Sequence, residues 1–124
     1  MKKKILVVDD EAALTRMIKL NLERTGNYEV RTENIGGNAI AAVREFQPDL
    51  LFLDVMMPGT DGTEIAGQLK NEEEFANLKF IFMTAIISKE ETDTLGSNIG
   101  GNEYLAKPVK TEELIKTIER VLGG

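Results

Sequence analysis

The 124-residue chain contains no cysteine and no histidine. Without cysteine there can be no disulfide, no thiolate nucleophile and no cysteine-ligated metal. Without histidine the chain has no imidazole base for a Ser-His or Cys-His pair, no histidine proton shuttle and no imidazole ligand for zinc. Any chemistry must therefore use carboxylate, hydroxyl and amine groups, together with a hard cation if a metal takes part.

Long apolar runs and excess positive charge are also missing. No segment approaches the ~20 apolar residues of a membrane span. The basic start Met1–Lys4 is followed by a short apolar run, Ile5–Val8, that stops at two aspartates. We therefore expect a cytoplasmic protein without a secretory signal or a membrane association. The net charge of −6 argues against direct nucleic acid binding, which needs a basic face.

The length and composition suit one globular domain. With 124 residues, of which 42% are hydrophobic and 29% charged, the chain can bury its own core but is short for two typical domains. No linker or low-complexity tract interrupts the sequence. We expect a single domain over residues 1–124.

Strand and helix patterns alternate along this domain. Apolar or alternating runs predict five strands, at residues 4–8, 28–32, 50–53, 78–83 and 103–106. Helical spacing predicts five helices, at residues 11–25, 39–46, 61–69, 88–98 and 111–122, of which the fourth is rich in weak helix formers. Asp61 and Thr111 are the predicted caps of two of them. Right-handed connections then give an α/β fold, a five-stranded parallel sheet with helices on both faces.

The predicted site is arranged around the run Leu50–Leu53. This run is apolar throughout, as in a strand buried on both faces, and it leads into Asp54 before Pro58 and Gly59 break it. Open α/β sheets bind ligands at the rim formed by the carboxyl ends of their strands. Asp54 is therefore a candidate for chemistry, although a strand-end aspartate can also simply accept hydrogen bonds from loop amides.

Four other side chains are predicted to reach the same rim. Asp9 and Asp10 follow the first strand, Thr84 ends the fourth and Lys107 follows the fifth. One aspartate could instead cap the next helix, Thr84 could bond only to backbone, and Lys107 could be solvated. Clustered carboxylates repel one another unless a cation balances their charge, and hard oxygen ligands favour Mg²⁺.

In such a setting Asp54 could be a magnesium ligand, a nucleophile that forms an acyl phosphate, or both. Lys107 would supply a fixed positive charge, and Thr84 would donate a hydrogen bond to a phosphoryl oxygen.

Four motifs, in this order and at these separations, resemble the receiver domain of two-component response regulators, of the stand-alone chemotaxis-regulator kind. The resemblance extends from Ile5 to Leu122. The motifs are Val8-Asp9-Asp10-Glu11, Asp54-Val55-Met56-Met57-Pro58 with Asp61-Gly62, Met83-Thr84-Ala85, and Tyr104-Leu105-Ala106-Lys107-Pro108.

The resemblance implies a flavodoxin-like sheet and a phosphorylation switch. Asp54 would accept a phosphoryl group from a histidine kinase or a histidine phosphotransfer protein. Mg²⁺ would be held by Asp10, Asp54 and the Met56 carbonyl, with Asp9 assisting.

The resemblance also implies how the switch would act. Thr84 would follow the phosphate and Tyr104 would swing inward, although a lone aromatic on a strand can also be simple packing. The surface formed by the last two helices and the last strand would then bind a downstream protein. The peptide bond between Lys107 and Pro108 matches the family's cis site.

The chain departs from the family pattern at two places. Thr60 stands where the family often has methionine, and residues 101–103 replace a common Ala-Asp-Asp. Met56 and Ile86, which flank the expected phosphate, are apolar, so we predict a long-lived acyl phosphate. Met56 also stands where phosphatases of the haloacid-dehalogenase kind place a second aspartate, so we do not expect an enzyme with a separate substrate. The chain could also be a receiver excised from a larger regulator, whereas a pseudo-receiver is disfavoured because every chemical position is filled.

Overall fold

The computed structural model of the chain describes residues 2–85, 98–99 and 102–123. Five parallel strands form the centre of the fold: β1 (Lys3–Val8), β2 (Tyr28–Glu33), β3 (Leu50–Asp54), β4 (Lys79–Thr84) and β5 (Asn102–Ala106). Four helices lie within the described residues: α1 (Ala12–Glu23), α2 (Ala39–Phe46), α3 (Gly62–Lys70) and α4 (Thr111–Leu122). Short 3₁₀ turns at Gly36–Asn38 and Glu73–Phe75 complete the connections.

The strand order is β2-β1-β3-β4-β5, and all neighbours among these five are parallel. This confirms the predicted parallel sheet. A sixth strand of two residues, Asn98–Ile99, pairs antiparallel with β5 at the edge of the sheet. The sequence did not predict this antiparallel addition. Asn98, predicted as the approximate end of a helix that starts at Ser88, belongs to this strand. The other residues of that predicted helix lie outside the described ones.

Two hydrophobic cores cover the two faces of the sheet. One contains Ile18 and Leu22 of α1 together with Leu114 and Ile118 of α4. The other is built from apolar residues of α2 and α3. The residues of β3 alternate between the cores and are all buried, which confirms the strand buried on both faces.

Of the two predicted helix caps, the one at the start of α3 is confirmed and the one at the start of α4 is wrong. Asp61 Oδ1 accepts from the Thr63 amide at 2.8 Å and caps α3 as predicted. Thr111 is not a cap, because it is the first residue of α4 and Lys110 occupies the cap position without a side-chain bond. The Thr111 hydroxyl instead accepts from Asn21 Nδ2 at 3.1 Å, which joins α4 to α1.

A small hairpin connects β3 to α3. Met56–Met57 pairs antiparallel with Thr60–Asp61, and Gly59 between them has a φ of 70°, a conformation that favours glycine. The hairpin begins two residues after Asp54 and therefore places its backbone beside the strand end.

Candidate functional site

The predicted site residues converge on one rim of the sheet. Asp54 ends β3, and its neighbours in the sheet deliver Asp9 after β1 and Thr84 at the end of β4. Lys107 follows β5, and its amide donates to the Thr84 carbonyl at 2.9 Å, which holds the two strand ends together. Four strands far apart in sequence thus supply one cluster of polar side chains.

Three carboxylates form the centre of this cluster. Asp9 is 0% exposed and Asp54 3% exposed, whereas Asp10 is exposed. One carboxylate oxygen from each lies within 4.8 Å of the others. Neither Asp9 nor Asp10 caps α1, because Glu11 occupies that position, and Asp9 Oδ1 instead accepts from the Glu11 amide at 2.9 Å.

Lys107 supplies the positive charge of the cluster. Its Nζ lies 2.7 Å from Asp9 Oδ2, 3.2 Å from Glu11 Oε1 and 3.4 Å from Asp54 Oδ1. Burial lowers the pKa of Lys107, but the hydrogen bond and charge of Asp9, with Glu11 and Asp54, outweigh that effect and raise the pKa to about 12. Lys107 is therefore a permanent cation at neutral pH.

The carboxylates retain an excess of negative charge around Asp54. Burial, followed by the charge of Asp9, raises the pKa of Asp54 from 3.8 to about 6, although Lys107 and the Met56 amide oppose this shift. One lysine therefore does not neutralise the group, and a second cation would stabilise its ionised form.

The donor set fits a hard divalent cation. The buried Asp9 Oδ2 meets the Lys107 ammonium at 2.7 Å and has no other polar partner within the described part of the chain. Three clustered carboxylates with one open, exposed side provide the oxygen ligands that Mg²⁺ prefers, and they leave room for the waters it retains. The backbone carbonyl of Met56 is on the adjoining hairpin.

Met56 lies beside Asp54 through its backbone. Its amide donates to Asp54 Oδ1 at 3.3 Å, and the residue as a whole is 64% exposed. Gly62 closes the other end of the hairpin, since a Cβ there would lie 2.2 Å from the Asp54 carbonyl oxygen. Only glycine fits this approach to β3.

The two predicted switch residues differ in their surroundings. Thr84 is buried at the end of β4. Tyr104 on β5 is half-buried, and its ring centroid lies 5.3 Å from that of Phe82. Phe82 is buried in the core, and the half-buried Phe80 packs against it. Ile86, predicted to flank the phosphate, lies outside the described residues.

Sequence reasoning missed three residues that shape this site. Glu11 contacts Lys107, Gly62 contacts the Asp54 backbone, and Asn34 donates to the Asp9 carbonyl at 2.8 Å. The acidic run at residues 9–11 was a signal for Glu11, and the Asp61-Gly62 pair was one for the glycine. Nothing local in the sequence distinguishes Asn34.

Comparisons with known proteins agree with this geometry. The family model for the response regulator receiver domain matches residues 5–119. PilH of Pseudomonas aeruginosa is 39% identical, and the alignment covers 98% of each chain. PhoP of Bacillus subtilis, an alkaline phosphatase synthesis transcriptional regulatory protein, is 37% identical over 98% of this chain, which spans only 49% of PhoP.

Solved structures lead to the same group. The chemotaxis protein CheY4 of Vibrio cholerae has a TM-score of 0.81 and 30% identity, with 98% of this chain and 99% of that chain covered. A CheY-like receiver domain from Methanospirillum hungatei has a TM-score of 0.80 and 29% identity, with 99% and 95% covered. Within the described residues, no helix has the length and apolar character needed to span a membrane.

Proposed function

Because this chain belongs to the receiver-domain family of response regulators, whose members are phosphorylation-dependent switches of two-component signalling, we propose that Asp54 is its phosphoacceptor. The observation that carries the proposal is the position of Asp54 at the end of the central strand. There it is 3% exposed, within ion-pair distance of Lys107 and beside two further carboxylates.

Magnesium is the proposed cofactor. Receiver domains generally bind Mg²⁺ at an acidic pocket, and Asp9, Asp10 and Asp54 form such a pocket here. Asp10, Asp54 and the Met56 carbonyl would hold the ion, with Asp9 assisting. The bound ion would neutralise carboxylate charge and that of the incoming phosphoryl oxygens.

The side chains of the protein carry out the transfer. A carboxylate oxygen of Asp54 attacks phosphorus, and the bond from phosphorus to the leaving nitrogen or oxygen of the donor breaks. Lys107, already 3.4 Å from Asp54 Oδ1, pairs with a phosphoryl oxygen, and the Thr84 hydroxyl donates to another. Both interactions stabilise the spread negative charge of the transferring group.

The switch is proposed to run from Thr84 to Tyr104. These residues lie on neighbouring strands, with Thr84 opposite Ala106 and Phe82 opposite Tyr104. A shift of Thr84 toward the phosphate would change the packing around Phe82 and let Tyr104 turn inward. The surface formed by α4, β5 and the helix predicted at residues 88–98, most of which lies outside the described residues, would then bind a downstream protein partner.

The expected phosphoryl donor is a histidine kinase or a histidine phosphotransfer protein, as membership in the family implies. We do not expect a separate substrate, since Met56 occupies the position where an acid–base carboxylate would be needed for rapid hydrolysis. Direct nucleic acid binding by this domain is disfavoured by the net charge of −6. A cytoplasmic location and a single domain over residues 1–124 remain predictions.

Phosphorylation by acetyl phosphate tests the proposal. With Mg²⁺ present, intact-mass spectrometry should detect one added phosphoryl group on the wild-type chain and none on Asp54→Asn. Asp49→Asn, a control at the opposite end of β3, should react like the wild type, and Asp10→Asn or a chelator should slow the reaction strongly. A phosphoryl group that persists on Asp54→Asn would refute the assignment, and steady phosphate release from a panel of phosphoesters would favour a phosphohydrolase.

A further inference from the structure

The loop after β2 contacts the proposed magnesium site from the side opposite Lys107. Asn34 Nδ2 donates to the Asp9 backbone carbonyl at 2.8 Å and to Thr15 Oγ1 at 2.9 Å. Asn34 thereby joins the end of β2 to the segment that carries Asp9 and Asp10. The loop after β2 is thus connected to the backbone that presents Asp9 and Asp10.

Two residues later, Gly36 packs against the hairpin without room for a side chain. A Cβ at Gly36 would lie 2.8 Å from both Cβ and Cγ2 of Thr60. Gly36 is buried, whereas the adjacent Gly37 is exposed and has no atom within 4 Å of its own Cβ position. The close approach is therefore specific to Gly36 and not a property of the whole turn.

Thr60 connects the contact with Gly36 to the Met56 carbonyl, which is one of the proposed magnesium ligands. It pairs with Met57 in the hairpin, and the next pair joins Met56 to Asp61. At the far end, Gly62 lies directly against the Asp54 backbone. The hairpin is thus held between Gly36 on one side and β3 on the other, and these two contacts set the position of the Met56 carbonyl.

The space around the contact between Gly36 and Thr60 is otherwise open. A cleft of about 230 Å³ separates the loop from the hairpin, and its lining includes Asp10, Ile35 and Pro58. The buried side chain of Met57 anchors the hairpin in the core beside this cleft, and Gly36 supports its Thr60 end. A displacement at Gly36 would therefore move the hairpin and not be absorbed by neighbouring atoms.

We propose that Asn34 and Gly36 are positioning residues that set the magnesium affinity of this protein. Asn34 would fix the backbone that presents Asp9 and Asp10, and Gly36 would fix the hairpin that presents the Met56 carbonyl. Together they would determine the separation of ligands that come from different strands. Outer-shell contacts of this kind commonly change metal affinity by about 10–100-fold when they are lost. The inference rests on the proposed function for the identity of the metal ligands.

Magnesium binding to the intact chain, measured by titration calorimetry, tests the inference. Gly36→Ala should raise the Kd for Mg²⁺ by about three- to tenfold, below the full outer-shell effect because movement of the hairpin can relieve part of the clash with Thr60. Gly37→Ala, the matched control in the same turn, should stay within about twofold of the wild type. In a Thr60→Gly background, which removes the atoms that the new Cβ would meet, Gly36→Ala should change the Kd by less than about twofold.

A second variant and a second readout separate positioning from loss of fold. Asn34→Ala should also raise the Kd by about three- to tenfold, and urea unfolding in a chelator should confirm that each variant is folded. Below saturating Mg²⁺, Gly36→Ala and Asn34→Ala should be phosphorylated by acetyl phosphate more slowly than the wild type, and this difference should shrink as Mg²⁺ is raised, whereas Gly37→Ala should match the wild type at every concentration.

Several results would overturn the inference. They are an unchanged Kd in Gly36→Ala and Asn34→Ala, an equal change in Gly37→Ala, or a Gly36→Ala effect that persists in the Thr60→Gly background. The proposed function fails separately: if the wild type binds Mg²⁺ with this pattern but Asp54 gains no phosphoryl group, the phosphoacceptor role is wrong and the positioning role stands.

Discussion

Lys107 forms its shortest ion pair with Asp9 and not with the central Asp54. The Nζ to Oδ2 distance is 2.7 Å, and the two side chains are 12% and 0% exposed. The distance from the same ammonium to Asp54 Oδ1 is 3.4 Å. Lys107 therefore balances a buried carboxylate in this structure and must share its charge with a phosphoryl group on Asp54 when one is present.

Removal of the lysine should destabilise the metal-free protein. Lys107→Met keeps most of the side-chain volume but leaves Asp9 as a buried charge without its counterion, so the free energy of unfolding at pH 8 should fall by about 3 kcal/mol. Urea denaturation in a chelator measures this. Lys110→Met, which alters an exposed lysine, should change stability by less than about 0.5 kcal/mol, and equal losses in both variants would contradict the explanation.

The charge on Asp54 should make stability depend on pH. Folding raises the pKa of its carboxyl from the ordinary value of 3.8 to about 6, so the folded state binds more protons than the unfolded state between these values. Stability from this group is present below about pH 4 and is lost as pH rises through about 6, by up to about 3 kcal/mol.

The Asp54→Asn variant isolates that contribution. Without magnesium it should be more stable than the wild type above pH 6 and no more stable near pH 4, as measured by urea denaturation across this range. Asp49→Asn should retain the wild-type pH profile. If the Asp54→Asn profile were parallel to that of the wild type, the raised pKa would be wrong.

Glu11 should slow phosphorylation by a small anionic donor. Its carboxylate lies 3.2 Å from Lys107 Nζ at the exposed edge of the site, with a side chain that is 61% exposed. In Glu11→Gln the lysine is freer to meet the phosphoryl group, and the site is less negative. The initial rate with acetyl phosphate should rise by about two- to fivefold at low salt and less at high salt. Glu29→Gln, on the exposed part of β2, should have no effect, and a slower Glu11→Gln would refute the prediction.

The apolar side chain of Met56 should prolong the phosphorylated state. Met56→Asn would introduce an amide on the exposed rim two residues after Asp54. If this amide orients an attacking water toward the phosphoryl group, dephosphorylation should accelerate by roughly tenfold. Loss of the phosphoryl group after removal of the donor can be followed by mass spectrometry. Met17→Asn, a similar change on exposed α1, serves as the control. A wild-type half-life of only seconds with Mg²⁺ would contradict the prediction of a long-lived acyl phosphate.

The positions of the predicted site residues followed from local patterns. Apolar runs marked the strands, and parallel strands must end on one rim, so Asp9, Asp54, Thr84 and Lys107 could be expected together without knowledge of any contact. The same reasoning failed at Thr111, whose hydroxyl contacts Asn21 of another helix and so does not cap its own. A side chain that suits a local role can be recruited by a distant neighbour, and a pattern within one element does not report this.

The sequence by itself determined that the five strands run parallel, that β3 is buried on both faces and that the carboxylates meet on one rim, because hydrophobic periodicity and chain connectivity decide these. Only the tertiary structure decided that Lys107 forms its shortest ion pair with Asp9 and a further ion pair with Glu11. It also decided that Gly36 and Gly62 pack closely against the two ends of the segment around the hairpin beside Asp54. These relationships depend on separations of a few ångströms between elements distant in sequence. Loop lengths and core packing set those separations, and neither leaves a periodic signal in the chain.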